Sequence, residues 1–358
     1  MYDFIVIGGA QSGLAISYYL KKLNKKFLIV DKAPEIGHSW LKRWDSLTLF
    51  TPTEYNHLPG MDFPQPDGYY PNKNEVAEYF KTYAKKFDFD VQLNTLITKI
   101  KATETGYKAF YDDGFIDAKG VIVATGPFHI PYTPEFAHKI DSHIFQTHSN
   151  SYKNKAMLQE GATLVVGDGD SGYQILDEIS KTGRKTYFSG DPKVGTLPQE
   201  FLGKTLWWWF EKLGLLSANR ESWLGKILIK RHQPIIGTDV KGILKRKNVT
   251  VVGRTVDAEG QTIITKKQKL SDVTNIIWAT GYKPNFEWIE GLDLKADGYP
   301  ENYRGISNLR NLYFIGLPWL YTRGSATLGG VKKDAAYISK DIAHSFGWKR
   351  FGRLGVRQ

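Results

Sequence analysis

The sequence predicts an α/β protein built from two similar units, the second inserted into the first. Two stretches share one pattern, an apolar strand that breaks into a glycine-rich turn and a helix: IVIGGAQSG from Ile5 and VVGDGDSG from Val165. Their leading glycines, Gly8 and Gly167, lie 159 positions apart (167 − 8). The near copies VIVATG and NIIWATG follow the two patterns, and an extended proline-containing stretch follows each copy. These observations favour two Rossmann-like dinucleotide-binding domains.

The first unit opens as strand, turn, helix and strand. YDFIVIG and KFLIVD are the predicted strands, and residues 12–23 are the predicted helix between them. Their continuous apolar composition is typical of strands that are buried on both faces of a parallel sheet. A further helix is predicted over 74–87 and a strand meander over 91–111. GVIVATG then leads into the linker PFHIPYTPEF.

The second unit begins after this linker. Strands are predicted at 162–166 and 185–188, with a helix at 171–181 between them. The last strand, NLYFIG, and a helix near 327–346 are assigned back to the first unit. The predicted domains are therefore 1–150 with 280–358, and an inserted 151–279.

Composition bounds the function. With 358 residues and 41% hydrophobic content, the chain can form two domains, and no stretch is long and apolar enough to cross a membrane. The N-terminus lacks the regions of a signal peptide, so a cytoplasmic protein is expected. The absence of cysteine excludes thiolate, disulfide and cysteine–metal chemistry. The net charge of +11 favours anionic partners, but no nucleic-acid-binding motif accompanies it.

The glycine turns suit nucleotide phosphates. The first glycine permits a tight turn, the second lets the backbone approach a pyrophosphate, and the third lets helix and strand pack closely. The phosphates then lie at the helix N-terminus. These positions are Gly8, Ala10 and Gly13 in the first turn, and Gly167, Gly169 and Gly172 in the second.

The strand ends differ between the two units. Asp31 ends the second strand of the first unit, 18 positions after Gly13 (31 − 13), and suits a ribose hydroxyl pair. The corresponding end in the second unit reads Ser189, Gly190, Asp191, where an arginine would bind the 2′-phosphate of NADPH. Because Asp191 would repel that phosphate, we expect NADH to be accepted at least comparably, although Lys193 is nearby.

Two such turns around ATG strands resemble the flavoproteins with two dinucleotide-binding domains, in which the first holds FAD and the second NAD(P)H. The missing cysteine excludes the thiol-dependent disulfide reductases. The stretch SHIFQTHSNSY is similar to the FxGxxxHxxxY of flavin-containing monooxygenases, with His148 and Tyr152 kept and Ser142 and Ile144 in place of phenylalanine and glycine. RWDSLTLFTPTEYNHLPG, ATGYKPNF and LPWLYTRGSATLGG resemble class B flavin-dependent monooxygenases, including bacterial relatives of plant indole-pyruvate monooxygenases.

The resemblance implies roles for particular residues. His148 and Tyr152 would link the domains and, with Phe50, form the catalytic set. Phe50 stands where some larger relatives have an asparagine beside the flavin, and Leu317 follows Gly316 where relatives often have an acid. The implied cofactor-binding residues are Gly8, Gly9, Ala10, Gln11, Ser12, Gly13, Asp31, Lys32, Ser39, Trp40, Arg43, Thr51, Thr125, Gly126, Gly167, Asp168, Gly169, Asp170, Ser171, Gly172, Ser189, Thr280, Gly281, Gly316, Leu328 and Gly329.

The implied function is an FAD-dependent NAD(P)H:oxygen oxidoreductase. It would form a C4a-peroxyflavin and oxygenate a small soft nucleophile or apolar carbonyl compound. Because Phe50 cannot donate a hydrogen bond, part of the oxygen would leave as hydrogen peroxide. Two alternatives stay open: a flavin-dependent NAD(P)H reductase without oxygenation, and a non-enzymatic flavoprotein accessory. The expected partners are the small substrate and oxygen, with a homodimer left open.

One aromatic run has no assigned role. Trp207, Trp208 and Trp209 are consecutive, and adjacent positions cannot share one helix face. The run suggests a flat apolar substrate or a lid, and contact of LWWWFEKLGLL with a membrane surface is a minor alternative.

Overall fold

The first third of the chain forms most of one sheet in the computed structural model, which describes residues 1–112, 114–231 and 234–347. Its strands are β1 (Tyr2–Ile7), β2 (Phe27–Val30), β3 (Val91–Gln92), β4 (Lys99–Thr103), β5 (Gly106–Tyr111) and β6 (Gly114–Val123). Its helices are α1 (Gln11–Lys22), α2 (His38–Leu41) and α3 (Lys73–Lys86). Asn72 caps α3, because its side chain accepts from the amides of Asn74 and Glu75 while the Glu75 carboxylate accepts from the Asn72 amide.

The middle of the chain contains most of the remaining elements. Its strands are β7 (Ile130–Pro131), β8 (Phe145–His148), β9 (Ala162–Val166), β10 (Thr186–Ser189), β11 (Thr196–Leu197), β12 (Glu200–Phe201), β13 (Lys204–Thr205), β14 (Ile235–Ile236), β15 (Val249–Val251), β16 (Thr255–Glu259), β17 (Thr262–Thr265), β18 (Lys269–Leu270), β19 (Val273–Trp278) and β20 (Tyr282–Lys283). Its helices are α4 (Asp170–Ser180), α5 (Leu206–Lys212), α6 (Trp223–Lys230) and α7 (Val240–Leu244).

The last segment returns to the first sheet, as the sequence predicts. It contributes β21 (Asn302–Tyr303), β22 (Ile306–Ser307), β23 (Leu312–Phe314) and α8 (Val331–Gly347). The predicted start of the last helix, near 327, is too early: α8 begins at Val331, and a separate 3-10 turn, Arg323–Ala326, precedes it. Residues 348–358 of the predicted domain range lie outside the described residues.

The first sheet has the order β21-β22-β23-β6-β1-β2-β3, with β4 and β5 forming a meander onto β6. β1 pairs in parallel with both β2 and β6, and β6 pairs in parallel with β23. Apolar clusters cover both faces of this sheet, which explains the uninterrupted apolar strands. We call residues 1–131 and 282–347 the host unit.

The second sheet has the order β15-β10-β9-β19-β8, and all its pairs are parallel. β8 pairs with β19 in the register Trp278↔His148, so the predicted boundary after residue 150 falls too late. The insertion has already joined its own sheet at Phe145, because strand partners and not chain order define the unit. We call residues 132–281 the inserted unit.

A short antiparallel ribbon joins the two units. β7 pairs with β20 in the register Tyr282↔Pro131 and Lys283↔Ile130. These strands follow directly on the two ATG stretches, at 124–126 and 279–281. Each ATG stretch thus leads from its own sheet into this ribbon, and the predicted domain bounds stay a prediction.

None of the helices in the part of the chain that the structure describes is long and apolar enough to cross a membrane.

Candidate functional site

The first glycine turn is shaped by close backbone contacts. Gly8 has φ +110°, and a Cβ there would lie 2.6 Å from the carbonyl oxygen of Ala124. A Cβ on Gly13 would lie 1.8 Å from the carbonyl oxygen of Gly8. α1 begins right after Ala10, whose methyl group cannot cap it, so the first amides of the helix face outwards for an anion. The turn therefore fits a pyrophosphate.

Asp31 is fixed beside this turn by two backbone amides. Its Oδ2 accepts from the amide of Gly9 at 2.6 Å, and its Oδ1 accepts from the amide of Ala33 at 2.8 Å. The carboxylate thus lies at the carboxyl end of β2, where a nucleotide ribose binds in such folds. Lys32, next to it, is exposed.

Three distant stretches converge on the start of α1. A Cβ on Gly316 would lie 2.1 Å from the hydroxyl oxygen of Ser12, and a Cβ on Gly329 would lie 1.7 Å from the carbonyl oxygen of Tyr55. Leu328 is buried between them, and the Trp40 indole donates to Gln11 at 3.3 Å. The predicted flavin-binding residues around this point are therefore brought together, with Ser39 exposed beside Trp40.

The run from Arg43 to Thr51 divides between two environments. Arg43 donates to the hydroxyl of Tyr282 at 2.9 Å, and its guanidinium lies 5.0 Å from the ring centroid of Phe128. Trp44 is 4% exposed and belongs to the apolar core of the inserted unit. The run is thus not one flavin-facing surface, because Arg43 contacts the host side of the ribbon, whereas Trp44 packs in the core of the inserted unit and the Asp45 amide donates to the carbonyl of Lys153 in that unit.

Phe50 lies under a side chain from the inserted unit. The indole of Trp207 donates to the carbonyl of Phe50 at 2.9 Å, and the two rings stack with centroids 6.0 Å apart. The hydroxyl of Tyr55 donates to Glu211 at 2.9 Å, and burial together with this bond raises the pKa of Tyr55 above its usual range. Trp207 and Glu211 therefore cover this part of the host unit, and we call the described stretch that contains them, residues 196–231 and 234–236, the lid segment.

Asn56 is a buried amide that sequence reasoning missed. Its Nδ2 donates to the carbonyls of Thr51 and Pro52 at 2.8 and 3.1 Å, and its Oδ1 accepts from the Thr51 hydroxyl at 2.7 Å. Its hydrogen-bonding groups are thus used on the local backbone. The sequence did hold one sign of this residue, an asparagine six positions after Phe50 in the same stretch.

The second glycine turn repeats the backbone of the first. Gly167 has φ +126°, and a Cβ there would lie 2.2 Å from the carbonyl oxygen of Ala279. A Cβ on Gly172 would lie 2.0 Å from the carbonyl oxygen of Gly167, whereas one on Gly169 would meet open space. Gly169 immediately precedes α4 and has no side chain to cap it. The turn fits a second pyrophosphate.

The adenosine end of this second turn is arranged differently. The Asp168 carboxylate accepts from the amide of Asp191 at 2.8 Å. Ser189 is buried, and its hydroxyl lies 2.8 Å from that of Thr255. Ser189 is therefore engaged with the start of β16, and Asp168 reaches from the turn to the strand end.

Asp170 links the second turn to the host unit. It begins α4, and burial raises its pKa to about 6, against the opposing effects of Arg323 and the backbone of Ile236. Burial lowers the pKa of Arg323, and Asp170 partly offsets this. The interaction of Arg323 with Asp170 was not predicted from the sequence, because Arg323 lies 153 positions away (323 − 170) in a stretch without periodicity.

His148 is held in one tautomer beside the ribbon. Its Nδ1 accepts from the amide of Asn150 at 3.1 Å, so its Nε2 carries the proton and donates to the carbonyl of Gly281 at 3.1 Å. Burial lowers the pKa of His148, so the ring is neutral near pH 7. Thr280 donates to the carbonyl of Tyr132 across the same ribbon.

Tyr152 lies away from Phe50. It is completely buried in the inserted unit, and its hydroxyl donates to Glu178 at 2.8 Å. Ser46 of the host unit donates to the same carboxylate. Tyr152 thus belongs with the contacts that join the units, and its predicted place in a catalytic set with Phe50 stays a prediction.

Thr125 and Gly126 lie in the other crossing, where the Thr125 hydroxyl is 3.0 Å from His129.

Comparison with known proteins agrees with this arrangement. A profile of the family described as pyridine nucleotide-disulphide oxidoreductase matches residues 5–193. An uncharacterized CzcO-like oxidoreductase of Geobacillus kaustophilus is 41% identical over 95% of this chain and 98% of its own. The probable indole-3-pyruvate monooxygenase YUCCA1 of Arabidopsis thaliana is 29% identical over 94% of this chain and 89% of its own. The flavin-containing monooxygenase of Stenotrophomonas maltophilia superposes with a TM-score of 0.79 at 25% identity, covering 97% and 99% of the two chains.

Proposed function

Since the chain belongs to the pyridine nucleotide-disulphide oxidoreductase family and is an oxidoreductase of the flavin monooxygenase type, we propose that it reduces FAD with NAD(P)H and oxygenates a small apolar substrate. The substrate class is a soft sulfur or nitrogen nucleophile or an apolar carbonyl compound. FAD and NADPH are the cofactors of this type of enzyme, and NADH is the minor alternative. Comparable use of NADH therefore stays a prediction.

The observation that carries the proposal is the linkage of the two glycine turns. Asp170 of the second turn interacts electrostatically with Arg323 of the host unit, and Trp207 of the lid segment stacks on Phe50. Both turns lie at carboxyl ends of parallel strands, where ligands of such sheets bind. This arrangement supports two dinucleotides meeting in one cleft.

The residues of the chain have positioning and shielding roles. Bound FAD supplies the redox and oxygen-activating chemistry. The amides at the starts of α1 and α4 would hold the two pyrophosphates, and Asp31 the ribose of FAD. The stacked rings of Phe50 and Trp207 would exclude water from the flavin.

Phe50 also limits the chemistry. Its ring offers no hydrogen-bond donor, and its carbonyl is taken by Trp207. This position would therefore offer no hydrogen-bond donor for the oxygen chemistry that bound FAD supplies, and we propose that part of the oxygen consumed is released as hydrogen peroxide. The same feature favours the second candidate, an NAD(P)H reductase without oxygenation.

The test begins with the visible spectrum of the purified protein and separate anaerobic titrations with NADH and NADPH. Oxygen uptake is then measured with and without a thioether, together with the yield of sulfoxide. A leaky monooxygenase gives sulfoxide, with less than one per NADPH consumed. Rapid flavin reduction without an oxygenated product from thioethers, amines or apolar carbonyl compounds would favour the reductase, and a colourless protein that does not take up FAD would overturn both.

A further inference from the structure

The outer surface of the lid segment exposes large apolar side chains. Of the sixteen exposed large apolar side chains among the described residues, six lie between residues 201 and 229: Phe201, Leu202, Leu213, Trp223, Ile227 and Ile229. Leu202 is 75% exposed and Trp223 is 74% exposed. Scattered single apolar residues are ordinary on a protein surface, but this concentration in one segment is not.

Helix α6 is the first part of this surface. Gly225 is its one buried residue and Leu224 and Leu228 are partly buried, so the helix rests on the protein by one face and exposes its other residues. Trp223 and Ile227 are four positions apart and share one face, and Lys226 and Lys230 share the neighbouring face. Exposed tryptophan and isoleucine beside lysine on a helix is the pattern of helices that lie in the plane of a membrane surface.

The β12–β13 hairpin and α5 form the second part. Leu202 occupies the hairpin tip with φ +49°, and the indole of Trp209 donates to the carbonyl of Phe201 at 2.8 Å. The amino groups of Lys204 and Lys212 lie 5.8 and 5.6 Å from the ring centroid of Trp208. Apolar rings and lysines therefore alternate here as well.

The charge of the segment indicates what covers it. Its basic residues are Lys204, Lys212, Arg220, Lys226, Lys230 and Arg231, and its acidic residues are Glu200, Glu211 and Glu221. Glu211 is engaged with Tyr55 of the host unit. Pairing of this face with a second copy would bring lysines together at a cost, whereas an anionic surface attracts them.

We propose that the outer face of the lid segment docks on an anionic phospholipid bilayer. The lysines bind the headgroups, and Leu202, Leu213, Trp223 and Ile227 enter the boundary between headgroups and acyl chains. Because Trp207 of the same segment covers Phe50, docking would bring the cover of the candidate site to the lipid, from which an apolar substrate can enter. The docking itself does not depend on the proposed chemistry.

The test is flotation of the full chain with vesicles of phosphatidylcholine alone and of phosphatidylcholine mixed with phosphatidylglycerol. We expect binding to the mixed vesicles that weakens as salt increases. Lys226→Gln with Lys230→Gln should lower the partition coefficient by roughly 25-fold, about fivefold for each lysine near an anionic surface. Trp223→Gln with Ile227→Gln should lower it by about tenfold or more.

Matched controls remove the same residue types elsewhere on the surface. Lys247→Gln with Lys269→Gln, and Leu96→Gln with Phe115→Gln, should bind like the wild type, since all four side chains are exposed away from the lid segment. The absorbance of bound FAD and its anaerobic reduction by NADPH should not change in any variant, which keeps this test separate from that of the proposed function. Absence of binding to mixed vesicles, or equal losses in the controls, would overturn the proposal. Sedimentation showing a dimer that only the lid variants dissociate would overturn it in favour of a second copy.

Discussion

The glycine turn before α1 and the glycine turn before α4 have the same backbone framework. In the first turn, Gly8 lies against the carbonyl of Ala124, which follows β6. In the second, Gly167 lies against the carbonyl of Ala279, which follows β19. In each, the third glycine lies against the carbonyl of the first. The shared contacts are internal to the chain, so these glycines are required by the fold before any ligand binds. The middle position is free of this demand, which explains why Ala10 can stand there.

The two turns differ in charge. The first, GGAQSG, contains no acid, and Asp31 reaches in from β2 to the amide of Gly9. The second, GDGDSG, contains Asp168 and Asp170, and Asp168 reaches out to the amide of Asp191. Carboxylates beside a helix N-terminus oppose a bound pyrophosphate. We therefore expect the first turn to hold its dinucleotide as a prosthetic group and the second to exchange its dinucleotide on each turnover.

The largest expected effect separates the two turns. Gly13→Ala should abolish FAD binding or soluble expression, because its Cβ would overlap the Gly8 carbonyl. Gly172→Ala should keep bound FAD, measured by its absorbance, but slow anaerobic reduction by NADPH by roughly 100-fold.

Gly169→Ala is the matched control, because a Cβ there meets open space. It should fold and bind FAD normally and weaken only NADPH binding. If Gly172→Ala were reduced at the wild-type rate, the assignment of the second turn to the pyridine nucleotide would be wrong.

Removal of the strand-end acid should act on one turn alone. Asp31→Ala leaves the amides of Gly9 and Ala33 without their acceptor. We expect the free energy of FAD binding to weaken by about 2 kcal/mol, which is roughly a thirtyfold increase in the FAD dissociation constant. Dialysis followed by FAD titration measures it. Asp168→Ala, its counterpart in the second turn, should leave the FAD dissociation constant unchanged, and an equal increase in both variants would contradict the comparison.

The pH dependence of the second turn should follow Asp170. Because its pKa is raised to about 6, the side chain becomes negative as pH rises through that value. Binding of NADH, whose pyrophosphate does not titrate in this range, should therefore weaken as pH rises through about 6. Asp170→Asn should remove this dependence and bind NADH several-fold more tightly at neutral pH, by about 1 kcal/mol.

Stability supplies an independent readout for Asp170. The folded pKa of about 6 exceeds the ordinary value of 3.8, so folding favours the protonated form. That contribution is complete below pH 3.8 and is lost as pH rises through about 6. Asp170→Asn should therefore raise the Tm at neutral pH, and an unchanged Tm together with an unchanged NADH profile would show that the carboxylate is not buried as described.

A further expected effect concerns the ribbon between the units. His148→Ala removes the bond to the Gly281 carbonyl and the acceptor for the Asn150 amide, each contributing about 1 kcal/mol. Stopped-flow reduction by NADPH should slow by roughly tenfold while the FAD content stays the same. Tyr152→Phe, which loses only the bond to Glu178, is the control and should slow reduction less. Equal loss of FAD and of reduction rate in His148→Ala would refute the linking role.

Local patterns predicted the framework of the fold because they are set by local physics. The glycine turns, the apolar strands β1 and β9 and the capped helix α3 follow from backbone sterics, burial on two faces and side-chain caps. β8 was missed because the letters FQTH show no strand pattern, and only pairing with β19 gives them one. The tryptophan run suggested a lid, but the short strands and helices of the lid segment were not predicted, since the segment has no clear periodicity of its own.

The residues of the candidate site also divide into those that local sequence patterns predict and those that depend on distant contacts. Asp31 was predictable because its distance from the turn is fixed by one strand–helix–strand unit. Arg323, Asn56 and the partner of Phe50 were not, because each contact joins stretches without a shared pattern. Within the tryptophan run, Trp207 turns to Phe50 and Trp209 turns to Phe201, while the rings of Trp208 and Trp209 contact each other edge to face.

Because β7 pairs with β20, the inserted unit begins and ends at the same point of the host unit. Every strand of the host sheet lies before Ile130 or after Lys283, and both ends of the insertion leave through one two-stranded ribbon. Antiparallel strands can be closed by a two-residue turn. Excision of residues 132–281 with such a closure would therefore leave the host sheet uncut, and a yellow miniature protein without a pyridine-nucleotide site is an accessible engineering target.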